Sequence, residues 1–183
     1  MRRQVAGFTM VEVLVAVLLL AVGLVGALAM QAHAMRTRQE SALLTEAMQA
    51  AATLADRIRA NAAQSSAYLG FEFDAAAAVA AGDATAADCF VAECDAAALA
   101  QYDLGAFRQQ LQSSLPAPRA LTCRDVSAAP GGRLQWACSG EANAPIVIKI
   151  GWRGSNSSGI GPGPVAGPAV ALPVALFAPG STP

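Results

Sequence analysis

The sequence predicts an α+β fold, one long N-terminal helix followed by a small antiparallel sheet. Three observations predict it. An apolar run near the start continues to Ala32, and no proline interrupts the chain before Pro116. Beyond that run, Leu44, Ala47, Ala51, Leu54 and Ile58 follow alternating steps of three and four, which draws one narrow apolar stripe down a helix. Far downstream, Ile146, Ile148, Ile150 and Trp152 alternate with Val147, Lys149, Gly151 and Arg153, the period of a strand.

The first element begins at Gly7-Phe8-Thr9-Met10-Val11-Glu12, behind a short basic leader with Arg2 and Arg3. From Val13 to Ala32 there are 20 residues without a charge, and Gln31 is their one strongly polar side chain. As a helix these cross roughly 30 Å, the thickness of a bilayer's hydrocarbon. Glu12 is the unusual residue. Two structural readings account for it: a capping box in which Thr9 accepts from the Glu12 N–H, or a carboxylate resting in the headgroup layer. Neither explains why a glycine, a phenylalanine and then the acid fall at these spacings behind a basic leader.

These residues resemble the processing site of type IV prepilins and pseudopilins. By that resemblance prepilin peptidase cuts between Gly7 and Phe8, Phe8 becomes the N-methylated first residue of the mature chain, and Glu12 its fifth. The acid has a physical rationale beside the resemblance. A carboxylate inside an apolar helix bundle is costly unless it meets a cation, and cleavage creates one in the Phe8 α-amino group. Helices stacked with an axial offset pair Glu12 of one subunit with the Phe8 amine of another, a contact that specifies register more than it adds stability.

The competing reading of the N-terminus is a conventional secretory signal. Ala27-Leu28-Ala29 and Ala32-His33-Ala34 have the small-x-small form that signal peptidase prefers, and the mature chain would then start near His33 or Met35. The apolar run is longer than such signals use, and Glu12 sits near its beginning.

The 183 residues allow one domain of ordinary size once the N-terminal helix is set aside. The net charge is −1, and removing Arg2 and Arg3 leaves 10 basic residues against 13 acidic, a net charge of −3. A mildly acidic chain without a basic cluster has no electrostatic footprint for nucleic acid. His33 is the single histidine and has no second histidine to share a metal. Neither a phosphate loop nor a nucleophile with its base assembles from the motifs, so no cofactor and no enzyme are implied.

Four cysteines, Cys89, Cys94, Cys123 and Cys138, all follow the apolar run. An even count without a pair spaced by two residues favours two disulfides over a zinc site. The basic residues flanking the span, Arg2 and Arg3 against Arg36 and Arg38, leave orientation tied. Disulfides break the tie, placing the leader in the cytoplasm and the rest in an oxidising compartment, the periplasm of a bacterium.

Helical character continues past the span, so a single helix is expected from about Thr9 to Asn61, roughly 80 Å long. Residues 62–88 read as an alanine-rich irregular connection with room for a helical turn. Asp103 is placed to cap a short helix whose Leu104, Phe107, Leu111 and Leu115 share a face, ended by Pro116. Leu121 to Val126 and Arg133 to Cys138 read as two antiparallel strands about a Pro130-Gly131-Gly132 turn. That hairpin sets Cys123 opposite Cys138 and leaves Cys89 to Cys94. The strand at Ile146 follows, then a Gly/Pro-rich loop over residues 154–168, which holds the glycosylation-like Asn156-Ser157-Ser158. A last strand is expected over Val170 to Phe177, at a sheet edge because of Pro173.

The domain organisation is therefore a leader at 1–7, a transmembrane and polymerisation half-helix at 8–32, an amphipathic half-helix at 33–61 and a periplasmic head at 62–183. The helix packed on a small antiparallel sheet is the pilin-like architecture that the resemblance implies. Met48 to Asn61, the Trp136-Ala137-Cys138 segment and the Ile146 to Arg153 strand are similar to the minor pilins called type IV pilus modification (PilV-like) proteins. That similarity implies a minor pilin that helps to prime pilus assembly, supporting adhesion and twitching motility. It implies as partners prepilin peptidase, other minor pilins, the major pilin, the inner-membrane assembly platform and a tip adhesin. The rivals are a minor pseudopilin of type II secretion, a DNA-uptake pilin, and a soluble secreted disulfide-bonded binding protein with a cleaved signal peptide.

Overall fold

The run without stop signals folds as one helix. In a computed structural model of the chain, which describes residues 7, 9–77, 89, 91, 93–154 and 167–176, α1 covers Met10–Ala60. Both ends fall within one residue of the expected bounds. The chain divides into two compact units, one up to Ser41 and one from Ala42 onward. In the first unit the residues from Thr9 to Ser41 are all exposed. Their most apolar window has a mean hydropathy of 2.9, so by length and composition the helix can cross a membrane.

In the second unit, the end of α1 buries Ala47, Ala50, Ala51, Leu54, Ala55 and Ile58. Four alanines among six residues let neighbouring backbone approach closely, while Leu54 and Ile58 supply the apolar bulk. Leu44, expected on this stripe, is 45% exposed, and Leu43 packs against the core in its place. The core covers α1 fully only from Ala47, and Leu44 lies on the uncovered flank with Met48 one turn further on.

Four strands form one antiparallel sheet in the order β1-β2-β3-β4: β1 is Glu72–Asp74, β2 Arg119–Arg124, β3 Ile146–Gly151 and β4 Val170–Val174. The register opposes Ala120 to Phe73 and Ile150, and Thr122 to Ile148. These residues, with Ile146, Val170 and Val174, are buried on one face of the sheet with the α1 stripe. β4 lies at an edge, where Pro173 need not donate to a further strand.

Three expectations are corrected. The connection after α1 holds a strand beside the helical turn that was allowed for: a 3-10 segment, Ala62–Tyr68, leads to Gly70 at φ +75° and then to β1. The helix expected to start after Asp103 starts earlier, since α2 spans Ala96–Ser114 and its N-cap is Asp95, whose side chain accepts from the Ala98 N–H at 2.7 Å. Alanine-rich sequence before Asp103 carries helix propensity, and Asp95 offers the capping oxygen immediately ahead of Ala96. Leu104, Phe107, Leu111 and Leu115 are buried as expected.

The third correction concerns Arg133 to Cys138, which is not a strand. β2 pairs instead with β3 over six residues, and the chain between them, 125–145, makes an excursion with a short 3-10 turn at Pro130–Gly132. Leu134, Trp136 and Cys138 still alternate with their neighbours in burial. The side-chain period was correct and the ladder was not, because the isoleucine-rich strand is the better hydrogen-bonding and packing partner for β2. The leader at 1–6, Phe8, the alanine-rich 78–88, the Gly/Pro-rich 155–166 with Asn156-Ser157-Ser158, and Phe177 lie outside the described residues.

Candidate functional site

The N-terminal site is built by the first turn of α1. Thr9 precedes the helix, its hydroxyl accepting from the Glu12 N–H at 3.3 Å while its carbonyl accepts from the same N–H at 3.1 Å. The capping geometry expected of Thr9 is therefore present. It engages the backbone of Glu12 and not its carboxylate. Glu12 is exposed, and with Val13, Ala16, Val17 and Leu20 it lines one shallow depression on the helix surface, apolar apart from the acid. Gly7 is exposed just ahead of the helix. Phe8, the other half of the expected cleavage site, is outside the described residues.

The cysteines form two disulfides, Cys89–Cys94 with Cα atoms 5.5 Å apart and Cys123–Cys138 with Cα atoms 6.3 Å apart. The hairpin from which the second pair was expected is absent, yet the pair is joined. The 125–145 excursion returns Cys138 to the face of β2 that carries Arg119, Leu121 and Cys123, opposite the α1 side. On this outer face the Arg119 guanidinium stacks over the Trp136 ring at 4.6 Å. His33 lies on exposed helix, its carbonyl accepting from the Thr37 hydroxyl at 3.2 Å. Among the described residues, no three His, Cys, Asp or Glu side chains group as metal ligands.

Two buried polar clusters went unread in the sequence. In the first, Arg57 donates to Asp103 Oδ1 at 2.9 Å and the Tyr68 hydroxyl donates to Oδ2 at 2.7 Å. Asn61 donates to the Tyr68 oxygen at 3.3 Å and to the Ala96 carbonyl at 2.7 Å. This ties the end of α1 to α2 through a wholly buried tyrosine. Burial, then the bond to Asp103, pushes the Tyr68 hydroxyl up to about 12. The Thr122 hydroxyl donates to the Tyr68 carbonyl, which adds β2 to the same junction.

In the second cluster, Lys149 on β3 is fully buried and donates to Asp125 Oδ2 at 2.6 Å and to the Ala137 carbonyl at 2.6 Å. Asp125 Oδ1 accepts from the backbone N–H groups of Ser127 at 3.3 Å and Ser139 at 3.4 Å. Burial of Asp125 opposes its charged form, but the Lys149 bond and these two N–H groups outweigh it and hold the carboxyl below its ordinary value. Sequence periodicity placed Lys149 on the face of β3 opposite Ile146, Ile148 and Ile150. All six residues of β3 are buried because the 125–145 excursion covers that side.

Both clusters satisfy their charges internally. They hold elements together and bring no nucleophile up to a base. The exposed acid beside an apolar helix surface is the feature left with an outward role.

Comparison with known proteins agrees with the position of that feature. The prokaryotic N-terminal methylation motif matches residues 2–28. The family described as type IV pilin Tt1218 matches residues 29–105. No curated protein and no solved structure matches the chain.

Proposed function

We propose that this chain, whose residues 2–28 match the N-terminal methylation motif and whose residues 29–105 match the type IV pilin Tt1218 family, is a minor subunit of a type IV pilus. The motif implies processing by prepilin peptidase and assembly with other pilins. On our reading the cut falls between Gly7 and Phe8, Phe8 is N-methylated, and residues 8–32 hold the subunit in the inner membrane until it enters the fibre. The head from residue 62 then faces the periplasm, where Cys89–Cys94 and Cys123–Cys138 are stable.

The observation that carries the proposal is Glu12, an acid exposed on an apolar helix at the fifth position after the proposed cut. In hydrocarbon or in a helix bundle its charge requires a partner. The Phe8 amine of a neighbouring subunit supplies one, and pairing fixes the axial offset between copies. The similarity of Met48–Asn61 and Ile146–Arg153 to PilV-like pilins supports a low-abundance position at or near the tip. There the subunit would meet other minor pilins, the major pilin, the assembly platform and a tip adhesin, in a structural role without catalysis.

Mass spectrometry of the mature protein tests the processing step: the first residue is expected to be methyl-Phe8. A mature start near His33 or Met35 would identify a secretory signal and end the pilin reading. Glu12→Ala is expected to leave cleavage intact while lowering incorporation into sheared fibres by an order of magnitude, the effect of about 1.4 kcal/mol of lost pairing. Deletion of the gene is expected to reduce surface pili. Loss of protein secretion with pili intact would assign the subunit to type II secretion.

A further inference from the structure

The second buried cluster lies across the same gap as a disulfide. Asp125 is two residues beyond Cys123, and Ala137 immediately precedes Cys138. The Lys149 ammonium bonds to both, at 2.6 Å each, from β3 beneath them. Three further bonds cross the gap: Ser139 N–H donates to Asp125 Oδ1 at 3.4 Å, Val126 N–H donates to Ser139 Oγ at 3.1 Å, and Gly140 N–H donates to the Arg124 carbonyl at 3.0 Å. The segments carrying the two thiols are thus held together by contacts that involve neither sulfur.

We propose that Lys149 is a positioning residue for the Cys123–Cys138 disulfide: by clamping Asp125 and Ala137 it holds the two cysteines adjacent whether or not they are bonded, and so sets how readily this pair oxidises. The reason is loop-closure entropy. The cysteines are 15 residues apart, and a chain free to open that loop keeps its thiols at low effective concentration. A clamp that closes the loop first makes disulfide formation an event between neighbours, which raises the equilibrium constant for oxidation by the same factor. Linkage makes the effect reciprocal: the disulfide strengthens the clamp as much as the clamp favours the disulfide.

A lysine is suited to this place. Its three ammonium protons let one side chain serve a carboxylate and a carbonyl together. Burial makes the arrangement all or nothing, since an ammonium stripped of both partners cannot stay in the interior. Val147, paired in register with Cys123, and Lys149 stand on the same face of β3, so the ammonium anchor and the disulfide share one floor.

The test is thiol–disulfide exchange of the full chain in detergent against oxidised and reduced glutathione. Two protein thiols give two electrons to one oxidised glutathione. Its sulfur–sulfur bond breaks, each half takes up one of the thiol protons as reduced glutathione, and a protein disulfide forms. Differential alkylation and peptide mass spectrometry read the two disulfides separately, with Cys89–Cys94 as the internal control. For Lys149→Met the exchange constant of Cys123–Cys138 is expected to fall on the order of tenfold, while that of Cys89–Cys94 stays within twofold, the larger change corresponding to about 1.4 kcal/mol. Asp125→Asn keeps a neutral acceptor for Lys149 and is expected to give a smaller fall at the same disulfide. It decides the matter should circular dichroism show Lys149→Met unfolded. An unchanged Cys123–Cys138 constant in the folded variant, or equal falls at both disulfides, overturns the proposal.

Discussion

Asp103 shows how much one carboxylate can hold. Each of its oxygens has its own donor, Arg57 at 2.9 Å and Tyr68 at 2.7 Å, and three elements meet there. Asp103 therefore cannot act as the helix cap that its position in the sequence suggests. Its side chain is turned into the interior from within α2. Tyr68→Phe removes the donor to Oδ2 and the acceptor used by Asn61, leaving both buried, and is expected to lower unfolding free energy by about 1–3 kcal/mol in urea titrations. Spectrophotometric titration gives the matching check, a tyrosinate step near pH 12 in the wild type that is missing from Tyr68→Phe. The hydroxyl's raised value means that its contribution is complete below about pH 10, the ordinary tyrosine value, and is lost as pH rises through the folded one. Absence of a late step would place Tyr68 in solvent.

Among the elements, α1 was the most legible, because hydrophobic run length, the absence of proline and the absence of glycine between Gly26 and Gly70 act along the chain alone. β3 was equally plain in its alternation, but its neighbours were not. Pairing with β2 is a competition between segments, and the sequence of Arg133 to Cys138 passes the same local test for a strand. β1 had a signal that could have found it: Phe71 and Phe73 alternate with Glu72 and Asp74 just after Gly70. Three residues are too few for a period to stand out, and the strand exists because β2 offers it a register. The start of α2 rests on Asp95. Replacing it with alanine removes an acceptor for the Ala98 N–H, and the expected loss is about 1 kcal/mol by chemical denaturation. The same substitution would be nearly silent if the helix began at Asp103.

At the scale of the whole molecule, charge burial couples the head to acid. Asp125 has an ordinary value of 3.8 and lies below it when folded. Its contribution is therefore present above about pH 4 and disappears as pH falls through the lower, folded value. The stability gap between wild type and Asp125→Asn, measured by urea unfolding at successive pH values, is expected to narrow as pH drops from about 5 toward 2. A gap that stays constant with pH would show that Asp125 is not ionised in the native head. By itself the sequence determined the features that local covalent order controls: an apolar helix of membrane length, an acid set five residues beyond a glycine, a strand period, and four cysteines on one side of the span. Only the tertiary structure decided which strand β2 would pair with, that Lys149 would be sealed beneath residues 125–145, and that Arg57, Tyr68 and Asp103 would converge. Those outcomes depend on which distant surfaces exclude water from one another, and no window of sequence contains both partners.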